Sequence, residues 1–355
     1  MICSCVLRPR TVAQAGLLGL ILTFSIAVQA QDDGTSFKAV PILTGYGSYF
    51  TRVTAGQFQD APGITPLLLV PVGQRWLLEG RGSYSDTFSK NAAGDYIGHN
   101  AYGFAYAQAD YITKYATFTA GRFITPFNIY GERLAPLWIR PLQISPLNAG
   151  ITSGTGLGGM VRGGLPGTDK INLNYAFYFS ANNTHHLLAT DRSTRGRLGF
   201  FLPGPRLELG ASFQQVLQAD RSHSSGVFLA WQPNHTALSL RSEYTRSSGT
   251  KGSAYWIESA YRLNQVPYLR KLEMVGREQQ FFAASNLSPA LVKKLGAFGK
   301  DAKQADFGLN YYFRSDVRAS AGYSRQFILH NNANLWTIGM TWRFVMPLAP
   351  TGKNL

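Results

Sequence analysis

Ten arginines occur at alternate positions of short segments, on the side that carries each segment's polar residues: Arg81, Arg162, Arg195, Arg197, Arg206, Arg241, Arg262, Arg314, Arg318 and Arg343. A guanidinium stays charged at any working pH, and its planar fork of donors matches carboxylate or phosphate. Several such groups around a constriction favour anions through the local potential. Glu79, Glu208, Glu243 and Glu258 share that side, so a second reading stands beside the first. In it the arginines and glutamates pair across an interior and merely stiffen its wall. Arginine outnumbers lysine by 23 to 11 across the chain, and the excess over acid tilts the interior toward anions, no further.

Other chemistry has little support. His185 and His186 with Asp191 sit close in sequence, but no serine context suggests a nucleophile. A barrel hydrolase would have to lose activity when these three are changed. His99, His223, His235 and His330 lack metal-ligand spacing. Neither Pro203-Gly204-Pro205 nor the glycines of 154–164 lead into a helix with a phosphate-binding lysine. No cofactor or metal is expected, and the scattered arginines argue against a nucleic-acid partner.

The arginines must be positioned by strands. Trp336, Ile338, Met340, Trp342 and Phe344 alternate with Thr337, Gly339, Thr341 and Arg343, a period of two over nine residues. A transmembrane barrel strand has that length and pattern, apolar toward lipid and polar toward the lumen. The same alternation recurs in 171–179, 206–214 and 307–313. A charge facing lipid at mid-depth would cost about 2–4 kcal/mol, so the polar set is expected to face inward. Phases in 101–111 and 269–282 are ambiguous, and Arg122 shares parity with Phe118 and Ala120. Gly121 would permit a bulge there, or Arg122 sits at the interface.

Short connections (113–115, 166–169, 203–205, 233–234, 315–316) alternate with long ones (91–98, 128–154, 182–192, 219–224, 247–252, 283–303). Short turns on one rim and long loops on the other suit an outer-membrane barrel. Chain ends on one side require an even strand number, which turns Ile64–Val70 into a strand before the short connection at 71–74. The expected fold class is all-β: a transmembrane antiparallel up-and-down β-barrel of about 16 strands, with one helical segment at Ser288–Lys300.

Arg8 and Arg10 precede an apolar run, Ala15–Val28, and Val28-Gln29-Ala30 has the small-x-small form of a cleavage site. Residues 1–30 therefore read as a secretory signal peptide and 31–355 as a single barrel domain. Both cysteines, Cys3 and Cys5, fall in the leader, so the exported chain has no disulfide framework. The formal charge is +15, or +13 without Arg8 and Arg10. Charged residues are 15% and aromatics 13% of the chain, with 37 glycines, and no apolar stretch after Val28 spans a bilayer as a helix. That composition fits a barrel and gives no sign of a linker.

The connection 128–154 is too apolar for a solvated loop. It either folds into the barrel mouth, making Glu132, Arg133 and Arg140 candidates for a constriction, or packs on the inner wall or a neighbouring protomer without a role in selection. Just before it, Gly121-Arg122-Phe123-Ile124-Thr125-Pro126-Phe127 resembles a segment of Gram-negative porins of the phosphate-selective O/P type. That family usually continues with Gly where this chain has Asn128. The resemblance implies passive transport across the outer membrane, without phosphate selectivity, since the family's pore lysines have no matches here. The expected function is a porin for small hydrophilic, preferentially anionic solutes. The expected partners are outer-membrane lipids and the barrel assembly machinery, and by analogy two further copies in a homotrimer. A plugged barrel serving as receptor, adhesin or envelope scaffold is the alternative. Phe344 is expected to act as an internal assembly signal, so that deletion of everything after it leaves assembly intact.

Overall fold

The computed structural model describes residues 40–348 apart from 91–93, 153, 169, 186–187, 219–220, 249–251, 285–299 and 329–330. The leader, nearly all of the expected helical segment Ser288–Lys300, and the tail after Leu348 lie outside the described residues. Sixteen strands follow in order: β1 (Ile42–Thr54), β2 (Gln57–Val72), β3 (Trp76–Lys90), β4 (Tyr96–Ile112), β5 (Ala116–Ile124), β6 (Thr155–Thr168), β7 (Ile171–Ser180) and β8 (Ser193–Leu202). The second half comprises β9 (Leu207–Val216), β10 (His223–Trp231), β11 (Leu238–Ser247), β12 (Ser253–Arg262), β13 (Leu272–Phe282), β14 (Ala302–Arg314), β15 (Val317–Ile328) and β16 (Asn331–Pro347). Each strand pairs antiparallel with its sequence neighbours, and β1 pairs with β16 from Ile42↔Pro347 to Thr54↔Leu335. The sheet is a closed barrel, which leaves no unpaired edge.

Facing follows the alternation. Trp336, Ile338, Met340 and Trp342 are exposed on the outside, whereas Thr337 and Thr341 are buried inside. Strand count by parity holds, and Ile64–Val70 falls within β2. Its beginning was hidden for two reasons. The β1–β2 hairpin turns on Ala55-Gly56, both at positive φ (50° and 77°), instead of the Asn-Gly that signals such a turn. Pro62 and Pro66 also lack an N–H, and the β2–β3 register skips residues 61–62 and 65–66.

The ambiguous phases have structural causes. In β4 the register jumps from Arg81↔Tyr106 to Gly82↔Phe104, so Ala105 is an extra residue and the facing flips across it. In β13 the inward set includes Val275 and Phe281, apolar because they meet the connection between β5 and β6. That strand also starts at Leu272 rather than Leu269, leaving a nine-residue connection on the otherwise short-turn rim. At Gly121 there is no register shift. Arg122 keeps its outward parity at the long-loop end of β5 and donates to Thr155 Oγ1 at 3.2 Å. Finally, β16 continues past Phe344 to Pro347, and the Leu348 amide bonds Pro41 O at 2.8 Å.

Buried apolar residues gather where the β5–β6 connection touches the inner wall. One cluster joins Ile129, Tyr130 and Leu134 to Phe228 and Trp256, and a second joins Leu147 and Ile151 to Ala254, Phe281 and Ala302. A third joins Leu142 to Ala260 and Val275. The polar-inward rule therefore gives way in β10, β12, β13 and β14, at the places where this segment lands.

Candidate functional site

The segment 125–154 enters the lumen directly from β5. Phe127, Asn128 and Ile129 are almost fully buried, as are Asn148 and Ile151 near its other end. Asn128 sits at φ 50°, a left-handed conformation that Gly takes without strain and Asn tolerates. This is the position at which the resembling family has Gly. The Asn128 amide donates to Ser212 Oγ at 2.9 Å and its side chain reaches Thr245 Oγ1 at 3.3 Å. Gly226 opposite leaves the room, because a Cβ there would meet the Asn128 amide group at 2.6 Å.

The segment then runs along the wall strand by strand. Glu243 of β11 takes the backbone N–H of Ile129 (2.7 Å) and Tyr130 (2.6 Å) on Oε1. On Oε2 it takes Asn148 Nδ2 (2.8 Å) and Trp256 Nε1 (3.2 Å). Farther round, Gln279 Oε1 accepts the Leu147 amide at 2.7 Å, and Arg277 donates to Ile144 O at 2.7 Å. Asn310 donates to Pro141 O at 2.9 Å and Arg318 to Leu137 O at 2.7 Å. Backbone groups that leave the sheet inside a barrel must find partners, and here polar wall side chains supply them.

Charges divide into two groups. On the wall beneath the segment they are paired. Arg133 forks onto Glu208 at 2.6 and 2.9 Å, and Arg197 binds Glu132 at 2.5 Å. Arg162 lies 3.3 Å from Asp110 and 3.8 Å from Glu132. Glu258 takes Arg241 at 3.5 Å and Arg277 at 3.7 Å, and Arg277 also binds Asp306 at 2.9 Å. Burial pulls the Arg133 pKa down, but the Glu208 carboxylate outweighs it and holds the guanidinium above its ordinary value. A cavity of about 310 Å³ lies beside this pair, lined by Ile129, Leu134, Phe201, Trp231 and Arg241 among others.

The second group has no carboxylate within ion-pair distance among the described residues: Arg52, Arg81, Arg140, Arg262, Arg318 and Arg343. Arg140 instead donates to Tyr130 Oη (2.8 Å) and Ser145 Oγ (2.9 Å). Arg81, Arg262, Arg318 and Arg343 lie over aromatic rings.

Of the ten arginines singled out by sequence, Arg195 and Arg197 are buried in β8, with Arg195 donating to Thr125 Oγ1 at 2.6 Å and lying over Phe127. Arg206 and Arg314 sit at the short-turn rim instead of the lumen wall. Arg206 occupies a turn at φ 53° and donates to Gln232, while Arg314 binds Asp316. Sequence reasoning missed Asp110, Asp306 and Arg277. The phase that turns Asn310 inward reaches Asp306 as well, but the bulge at Ala105 concealed Asp110, and Val275 and Phe281 concealed Arg277. Of the histidine loop, His185 bonds Asn183 through its backbone and Asp191 takes Gln218 Nε2, while His186 is outside the described residues.

No family model and no curated protein matches the sequence. Solved structures do match the fold. A loop-deletion mutant of OmpT, an outer membrane protein of Vibrio cholerae, aligns at TM-score 0.55 and 11% identity, over 86% of this chain and 100% of that one. OprB of Pseudomonas putida aligns at 0.58 and 8%, over 86% and 92%. An anion-selective porin from Comamonas acidovorans aligns at 0.56 and 10%, over 86% and 100%. The fold is a porin fold. Identities this low establish the architecture alone, and the O/P resemblance of residues 121–127 finds no sequence-level match.

Proposed function

We propose that this chain is an outer-membrane porin, exported through a cleaved signal peptide, that lets small hydrophilic solutes diffuse passively and prefers anions. One observation carries the reading. The acids that neutralise the lumen arginines, Asp110, Glu132, Glu208, Glu258 and Asp306, are engaged under or along the inserted segment, and the arginines of β1, β3 and β16 keep no such partner. Glu79 and Glu273 also face the lumen outside ion pairs, but the arginines outnumber them, so what remains is net positive, and a positive low-dielectric passage raises the local anion concentration. Purified protein in a planar bilayer with a potassium chloride gradient should show open-channel steps and a reversal potential displaced toward chloride.

A second reading has its own support in the apolar clusters that the inserted segment forms inside the barrel. A barrel filled in this way would serve as receptor, adhesin or scaffold. Binding without any conductance would favour it over the porin. Neither reading gives a catalytic role to His185, His186 or Asp191.

Lipid contact and handling by the barrel assembly machinery belong to the same proposal, and so does a homotrimer. The outward face of β3–β6 holds Gly80, Ala107, Ala109, Ala120 and Gly159 in neighbouring registers, a shallow area against which another copy would fit. Cross-linking in mild detergent, resolved on unheated gels, distinguishes trimer from monomer.

A further inference from the structure

Four of the arginines without acid partners, Arg262, Arg318, Arg343 and Arg81, are arranged in an arc. Starting at the short-turn end of β12, Arg262 lies 4.6 Å over Tyr312 of β14. Arg318 of β15 lies 5.9 Å from that ring and 5.9 Å from Trp138 of the inserted segment. Arg343 of β16 covers Trp138 at 5.5 Å, and its Cα partner across the barrel seam is Tyr46 of β1. Tyr46 in turn carries Arg81 of β3 at 5.7 Å. Cation and ring, contributed by six strands and the inserted segment, therefore alternate along the lumen wall from β12 to β3. Arg318 is fully covered and donates to Leu137 O, so it backs the arc, whereas Arg262 and Arg343 are exposed and Arg81 is half-buried.

Stacking holds a guanidinium by its face and leaves the in-plane N–H edge unused. A carboxylate partner would instead have occupied that edge. The Arg343 guanidinium shows no hydrogen bond among the described residues, Arg262 uses only Nε, on Arg270 O, and Arg81 spends Nη2 on Tyr46 Oη at 3.5 Å. Glu273, opposite Arg262, is taken up by Tyr312 Oη at 2.8 Å, and Glu79 lies two residues from Arg81 outside ion-pair distance. Beside each open fork stand rings and, opposite Arg81, Leu67. Such surroundings suit a ligand with two coplanar oxygens on a carbon body. The ring hydroxyls are already engaged, Tyr46 Oη by Arg81 and Tyr312 Oη by Glu273, so they add little for the remaining oxygens of a phosphate, and a spherical halide cannot use the second donor of a fork.

We propose that this arc is a track for small carboxylates, favouring them over chloride and over phosphate. The inference rests on the porin reading above and names the solute class of the same lumen. It is tested by bi-ionic potentials in planar bilayers, with potassium chloride on one side and potassium acetate or potassium phosphate on the other. Acetate should permeate relative to chloride above the ratio of their free mobilities, and ahead of phosphate. Arg343→Lys and Arg81→Lys keep the charge and lose the fork. They should preserve selectivity for chloride over potassium while lowering the acetate-to-chloride ratio about two- to fivefold, the worth of an exposed ion pair. An unchanged ratio in both lysine variants, or phosphate ahead of acetate, overturns the inference. Acetate at its free-mobility ratio through a chloride-preferring channel overturns it alone, leaving the porin reading in place. A barrel with no conductance, or none of it anion-preferring, overturns both.

Discussion

Glu243 and Asn148 are joined by a 2.8 Å hydrogen bond across 95 residues of sequence. The same carboxylate takes the backbone of Ile129 and Tyr130, so one side chain ties both limbs of the inserted segment to β11. Four donors converge on it. Glu243→Gln would replace one oxygen by an NH2 group that faces donors. Hydrogen bonds to a charged acceptor are worth about 1.5–3 kcal/mol each, so a loss of about 2 kcal/mol in seating the segment is expected. Single-channel recordings should then show noisier or larger open states, and quiet steps of wild-type size would refute the latch.

Two inward glycines make the seat itself. A Cβ on Gly226 would press on Asn128, and one on Gly308 would meet Leu142 Cδ2 at 2.5 Å. Gly226→Val and Gly308→Val should displace the beginning and the middle of the segment respectively while the strands remain. Protease accessibility of 125–154 should rise in both variants, with the barrel's far-ultraviolet circular dichroism unchanged.

Arg133 and Glu208 predict opposite shifts from two neutralising changes. Glu208→Gln frees a cation into the lumen and should move the reversal potential further toward chloride. Arg133→Gln leaves the acid unmatched and should move it toward potassium. Removing one member of a half-buried pair also costs stability, so refolding yields need to be compared alongside. Shifts in the same direction would mean that the pair lies off the ion path.

Arg52 of β1 and Arg140 of the inserted segment both lack a carboxylate within ion-pair distance among the described residues. Neutralising both, as Arg52→Gln with Arg140→Gln, should reduce the chloride-to-potassium permeability ratio by more than either change alone. A ratio that stays at the wild-type value in the double variant would place the selective region elsewhere.

The closing seam revises the expectation for the C-terminus. Val345, Met346 and Pro347 pair with Thr44, Leu43 and Ile42. Deletion after Leu348 should therefore assemble normally. Deletion after Phe344 removes three cross-strand pairs and should lower the yield of heat-modifiable barrel, although it preserves the terminal aromatic.

The strands were largely legible because lipid-type alternation and turn residues are local properties. Trp336–Phe344 announces its facing without reference to any other strand. The failures were also local. Ala55-Gly56 is a poor turn signal, and one extra residue at Ala105 reverses parity within β4. The inserted segment was legible as an oddity, since Leu137, Trp138 and Ile139 do not belong in water. Its landing place was not. Whether Arg197 meets Glu132 or stands open to solute depends on a register between residues 65 apart, and no periodicity carries that information.

The reach of the inserted segment also has a consequence for the order of assembly. Leu137 finds its donor on Arg318, 181 residues later, and Pro141 finds Asn310 at a separation of 169. Contacts of such long range form late, because the intervening chain must first be in place. The segment is synthesised before β6, yet the wall it settles on is not complete until β15 exists. A half-built barrel must therefore carry an undocked apolar strap, and whatever guides the strands into the bilayer has to shelter that strap until the final turns of the sheet arrive.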